Sequence, residues 1–115
     1  MPRLFSFIET DVFRKQLDRL TTLDTLFVIQ RDLLENPKRG DVIAGTKRVR
    51  KSRAADSRTK RGKSGGFRYL YLLVDHVGII YLIYIFPKSE KVNISNEDKV
   101  EIAELVQYLK ELYKE

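Results

Sequence analysis

Apolar and polar positions recur along this chain with two different periods, and the switches between them predict its elements. Leu4 to Ile8 is short, aromatic and apolar, and gives way to Glu9-Thr10-Asp11, the pattern of a strand running into a helix start. Phe13, Leu17 and Leu20 then fall at helical spacing and leave Arg14, Lys15 and Asp18 to face water. Thr21-Thr22 offers a second N-cap, after which Leu23, Leu26, Phe27, Gln30, Leu33 and Leu34 trace another stripe that Asn36-Pro37 ends. The two segments predict a helical hairpin. Arg39-Gly40-Asp41 reads as a turn, and Arg48 to Arg53 as a short edge strand. Gly66 to Val74 and Ile79 to Phe86 are apolar at nearly every position and are separated by Asp75-His76-Val77-Gly78. That predicts a hairpin of long strands at the centre of a sheet, covered by helices on at least one face. Ser95 with Asp98 three residues on is a capping-box pattern, and Ile102, Leu105, Val106, Leu109 and Leu112 continue at helical spacing. The predicted order is strand, helix, helix, strand, strand, strand, helix, with no internal repeat.

At 115 residues the chain is expected to be a single domain over 1–115, with a basic loop at about 45–66. Glu9, Asp11 and Asp18 interrupt the apolar positions of the first twenty residues, against a signal peptide, and no apolar run reaches membrane-spanning length. A soluble cytoplasmic protein is expected. The formal net charge is +6, but it is unevenly spread. From Lys38 to Arg68 twelve Lys or Arg stand against Asp41 and Asp56, which gives that window +10 and leaves −4 for the rest of the chain. Local positive charge of this kind suits a polyanion-binding surface, because each contacted phosphate releases counterions; a solvated loop is the bland alternative.

Most conventional chemistry is excluded. With no cysteine and one histidine, thiolate and multi-histidine metal sites cannot form, and there is no P-loop or dinucleotide fingerprint, so neither metal nor cofactor is expected. His76, in the predicted hairpin turn, reads as a surface residue. The distinctive run is Lys60-Arg61-Gly62-Lys63-Ser64-Gly65-Gly66-Phe67-Arg68, in which glycines let a cationic loop fold closely against the start of a rigid strand. On that strand Arg68 shares a face with Leu70, Leu72 and Val74, which would hold its guanidinium at the rim of an apolar sheet. An arginine so placed can donate two parallel hydrogen bonds to a phosphate and stabilise a phosphorane-like transition state; paired with a carboxylate, it would be an ordinary edge residue. Lys88, just past the partner strand, and Lys91 behind it are candidates for a base acting on a ribose 2′-hydroxyl, or for solvated lysines. Tyr69, Tyr71, Tyr81 and Tyr84 suit core packing better than base stacking.

Several stretches, taken in order, resemble the RelE/HigB superfamily of toxins across nearly the whole chain. They are Phe7-Ile8-Glu9-Thr10, Leu33-Leu34-Glu35-Asn36-Pro37, Gly40-Asp41-Val42-Ile43 with Gly45-Thr46, Arg50-Lys51-Ser52-Arg53, Lys63-Ser64-Gly65-Gly66-Phe67-Arg68-Tyr69-Leu70-Tyr71, Ile79-Ile80-Tyr81-Leu82-Ile83-Tyr84 and Lys88-Ser89-Glu90. The resemblance implies an α+β fold of the microbial-ribonuclease type, a mostly antiparallel twisted sheet with an N-terminal helical hairpin and a C-terminal helix. It further implies the toxin component of a type II toxin-antitoxin system, a metal-independent endoribonuclease that cuts mRNA on the ribosome and arrests growth. Such toxins use the RNA 2′-hydroxyl as nucleophile and cationic and aromatic side chains in place of a His/Glu pair. The implied catalytic residues are Arg68, Lys88 and Lys63. Lys47, Arg48, Arg50, Arg53, Lys60, Arg61 and Lys91 are implied to bind RNA. The implied partners are a cognate, DNA-binding antitoxin, the ribosome and its mRNA, with no membrane. The chain departs from the pattern at Lys47-Arg48, where Gly-Gly is usual, at Ser52 and at Ser89. Two other readings remain open: a ParE-like gyrase-directed toxin, which usually lacks the arginine and lysine set, and a nucleic-acid-binding module without catalysis.

Overall fold

The computed structural model describes residues 4–55, 66–90 and 96–113. Strand β1 (Ser6–Glu9) leads into helices α1 (Asp11–Leu20) and α2 (Leu23–Glu35), and strands β2 (Asp41–Val42), β3 (Arg50–Ala54), β4 (Phe67–Val74) and β5 (Ile79–Pro87) follow, with helix α3 (Asn96–Leu112) last. The strands form one mixed sheet in the order β1-β5-β4-β3-β2. Neighbouring strands run antiparallel except for β1, which lies parallel to β5. The fold is therefore α+β, with a mostly antiparallel five-stranded sheet and three helices.

The apolar density of β4 and β5 is explained by burial on both faces. Tyr69 and Tyr71 of β4, with Ile80, Leu82 and Ile85 of β5, pack against Phe13 and Leu17 of α1 and Leu26, Ile29 and Leu33 of α2. Leu70 and Leu72 point the other way, with Tyr81, Ile83 and Phe86, and meet Val106 and Leu109 of α3. Both N-terminal helices thus lie on one face, joined only through Thr21 and Thr22, and α3 lies on the other.

Pairing between β4 and β5 slips by one residue: Leu70 faces Tyr84, Tyr71 faces Leu82, and Ile83 is extra. A bulge frees a carbonyl from the ladder. Here the Ile83 carbonyl accepts the Thr10 hydroxyl at 2.8 Å, while the Thr10 N–H donates to Leu82 O at 3.0 Å. The same Thr10 Oγ1 accepts from the Phe13 N–H at 3.1 Å and so caps α1, which explains why that helix starts at Asp11.

Three expectations need correction. The strand expected from Leu4 begins at Ser6. The turn expected at Arg39-Gly40-Asp41 runs straight into β2, because Gly40 lets the chain approach β3 closely; a Cβ there would stand 2.8 Å from the Lys51 carbonyl oxygen. With Asp41 paired to Lys51 and Val42 to Arg50, β3 is not an edge strand along its whole length, and among the described residues only Ser52–Ala54 is left open. Ser95 and the side chain of Asp98, proposed as a capping box, lie outside the described residues. Among the described residues no helix is long and apolar enough to cross a membrane.

Candidate nucleic-acid interface

The register of β3 against β4 places Arg53 directly opposite Arg68. Cross-strand partners share a face, so two guanidiniums project side by side on the α3 side of the sheet, at the end where β3 stops and β4 starts. Like charges in that position repel, and the electrostatics show it: the Arg68 pKa is lowered, first by partial burial and then by Arg53. Arg68 Nη1 reaches the Phe67 carbonyl at 3.4 Å, and among the described residues neither arginine is ion-paired with a carboxylate. The ordinary reading of Arg68 as a carboxylate-paired edge residue therefore does not hold among the described residues.

The two arginines line a cleft of about 410 Å³ at the open edge of β3, together with Arg39, Asp41, Lys51 and Ser52. Four of the six lining residues are cationic and one is acidic. Lys88 is at the same end of the sheet: its N–H donates to the Gly66 carbonyl at 3.1 Å, two residues before Arg68, and its side chain is exposed. Ala55 and Gly66, which flank the basic segment in sequence, are at that same end. Lys60, Arg61 and Lys63 of that segment lie outside the described residues, as does Lys91.

The fold does not gather the remaining candidates there. Arg50 is an odd number of residues from Arg53 and projects to the α2 side, opposite Tyr71. Its Nη1 donates to the carbonyls of Gly40 at 2.6 Å and Lys38 at 3.2 Å, so its guanidinium fastens the loop that precedes β2. Lys47 and Arg48 fall beyond the other end of β3, past Arg50, which itself stands roughly 10 Å from Arg53 at strand rise. Arg48 borders a hollow with Val74, Asp75, His76 and Tyr113, and Lys47 another with Lys99 and Glu104 of α3. His76 belongs to that far end too, where its Nε2 pairs with the Tyr113 carbonyl.

A hollow of about 790 Å³ is lined by Phe5, Phe27, Leu34 and Pro37 among others and holds none of the candidate cations. Tyr69 and Tyr71 are fully buried and Tyr81 nearly so, which places three of the four tyrosines in the core. Among the described residues no group of His, Asp or Glu could hold a metal ion.

Sequence reasoning missed Arg39 and Lys51 as cleft residues. Lys51 had a signal, since it alternates with Arg53 on the same face. Arg39 had none, because it reaches the cleft from the loop before β2. No protein-family model matches the chain.

Proposed function

We propose that this chain is a RelE/HigB-type toxin of a type II toxin-antitoxin system, an endoribonuclease that cuts mRNA bound to the ribosome. The observation that carries the reading is the Arg53–Arg68 pair: a rigid sheet holding two guanidiniums opposite one another, with neither paired to a carboxylate among the described residues, gains stability when an anion binds across both. A scissile phosphate is such an anion.

In the reaction the ribose 2′-oxygen attacks the adjacent phosphorus. The O2′–P bond forms and the P–O5′ bond breaks, leaving a 2′,3′-cyclic phosphate and a 5′-hydroxyl. Arg68 donates to the non-bridging oxygens and stabilises the charge gained in the phosphorane. Lys88, at the same end of the sheet, and Lys63 from the basic segment divide the two proton transfers: one takes the 2′-proton, the other protonates the leaving 5′-oxygen. Arg53 and the cations of the basic segment hold flanking phosphates. An acidic antitoxin covering the same cleft would neutralise it and shut off access to RNA.

Induced expression of the wild type and of Arg68→Ala in a bacterial host, with mRNA 5′ ends mapped in parallel, tests the reading. The wild type is expected to arrest growth with cuts inside translated codons, and Arg68→Ala to reduce cutting about 10²–10³-fold, the scale for losing one transition-state donor. Arrest without cuts would favour the gyrase-directed or binding-only alternatives.

A further inference from the structure

Helix α2 ends beside the open edge of β3, and one buried carboxylate there governs where Arg39 points. Asp32, in the last turn of α2, is 4% exposed, and its carboxylate meets Nη1 of Arg39 at 3.4 Å and Nη2 of Arg31 at 3.6 Å. The two arginines are in different surroundings. Arg31 is mostly in solvent, whereas the Arg39 side chain is 22% exposed, and the surface it shows lines the cleft with Ser52, Arg53 and Arg68.

The loop on both sides of Arg39 is pinned. The Tyr71 hydroxyl donates to the Pro37 carbonyl at 2.8 Å and accepts the Gly40 N–H at 3.0 Å, and Arg50 holds the Gly40 carbonyl. A guanidinium carries five N–H donors in a planar fork. The Asp32 carboxylate meets that of Arg39 at Nη1 alone, as an ion pair, which leaves the rest of the fork for a second anion on the cleft side.

We propose that Arg39 is a phosphate-binding residue of this cleft, positioned by Asp32, and that the cleft takes a nucleic-acid strand through at least two phosphates, one across Arg53 and Arg68 and a neighbouring one on Arg39. The proposal rests on the nucleic-acid reading of the cleft given above, but not on cleavage.

Binding of a single-stranded 2′-deoxy oligonucleotide, which has no 2′-hydroxyl to react, tests it when followed as a function of salt. Arg39→Ala is expected to weaken binding about tenfold and to lower the slope of log K against log salt by ~0.7, the value for one lost phosphate contact on a single strand. Arg39→Lys should keep the slope and recover part of the affinity. Asp32→Asn should weaken binding with the slope nearly unchanged, because the cation is still present but no longer aimed. Should Arg39→Ala not fold, Arg39→Gln removes the same charge while keeping an N–H for Asp32.

If the charge-removing variants lower Tm but leave affinity and slope as in the wild type, Arg39 only ties loop to helix and the proposal is wrong. A wild type that fails to bind the strand at any salt overturns both this proposal and the nucleic-acid reading. Binding that responds to Arg39, with no cuts in translated mRNA, removes the nuclease and leaves the Arg39 site standing.

Discussion

Lys47 and Arg48 have φ of 57° and 96°, a region that side chains other than glycine seldom occupy. Their neighbours impose it: Thr46 and Val49 are fully buried, Thr46 Oγ1 donates to the Ile43 carbonyl, and the Ile43 N–H donates to the Val49 carbonyl at 2.8 Å. These are the two positions at which the resembled toxins usually carry Gly-Gly, so that departure in the sequence translates into backbone strain of roughly 1 kcal/mol per residue. Part of that gain is offset by the freedom two glycines add to the unfolded chain, so Lys47→Gly with Arg48→Gly is expected to raise Tm by about 3–6 °C by calorimetry for a domain of this size. A lower Tm would mean that the two side chains make contacts that outweigh the strain. Tyr69 supplies a second test. Burial pushes its phenol up to about 12, against the pull of the Ser52 hydroxyl and of Arg39. The unfolded chain releases that proton near pH 10, so the folded state is favoured in full below about pH 10, and the advantage is lost as pH rises through about 12. At ~2–3 kcal/mol this is a large part of a small domain's stability. Tyr69→Phe should flatten the alkaline arm of a urea-midpoint-versus-pH curve. Burial shifts Tyr71 and Tyr81 in the same direction, so the arm should shrink rather than vanish. At neutral pH the variant should cost little, because among the described residues the buried hydroxyl makes no hydrogen bond of normal geometry.

Thr10 shows how much of an element can hang on one side chain. It caps α1, and it also takes up the carbonyl that the β5 bulge sets free, so its hydroxyl links a helix start to a sheet irregularity seventy-three residues away. Thr10→Val keeps the shape and removes both bonds; a loss of about 1–2 kcal/mol is expected in denaturant titrations, with Thr10→Ser recovering most of it. The helix start was legible in Glu9-Thr10-Asp11. The bulge was not, because a strand buried on both faces shows no alternation from which a one-residue slip could be read. The same contrast runs through the rest of the fold. The long strands β4 and β5 announce themselves by apolar density, and α1 and α2 by helical spacing. Strand β2 is two residues long, and it forms because Gly40 can approach the Lys51 carbonyl and the Tyr71 hydroxyl can hold the loop. Neither is a local property of Asp41-Val42, so the sequence reads there as a turn.

The charge of the whole molecule was legible as a total but not as a surface. The run from Lys38 to Arg68 carries +10, yet the fold sends its described cations four ways: Arg39, Lys51, Arg53 and Arg68 to one cleft, Arg50 to the α2 face, Lys47 and Arg48 to the far end, and Lys38 to the hollow beside α2. Strand period alone separates Arg50 from Arg53, and only the known pairing of β2, β3 and β4 says which side is closed. Two arginines three residues apart should accordingly answer the same substitution in opposite ways. Arg50→Ala leaves the Gly40 carbonyl without its 2.6 Å partner, loosens the loop that β2 depends on, and should cost about 1–2 kcal/mol in urea unfolding. Its effect on the salt slope of polyanion binding should be small. Arg53→Ala removes one half of a repelling pair, so stability should hold or rise slightly, while affinity for a single-stranded oligonucleotide falls and the slope drops by ~0.7. Equal losses of binding for the two variants would mean that the basic run acts as one undivided cloud of charge, and the cleft would lose its claim to be the site.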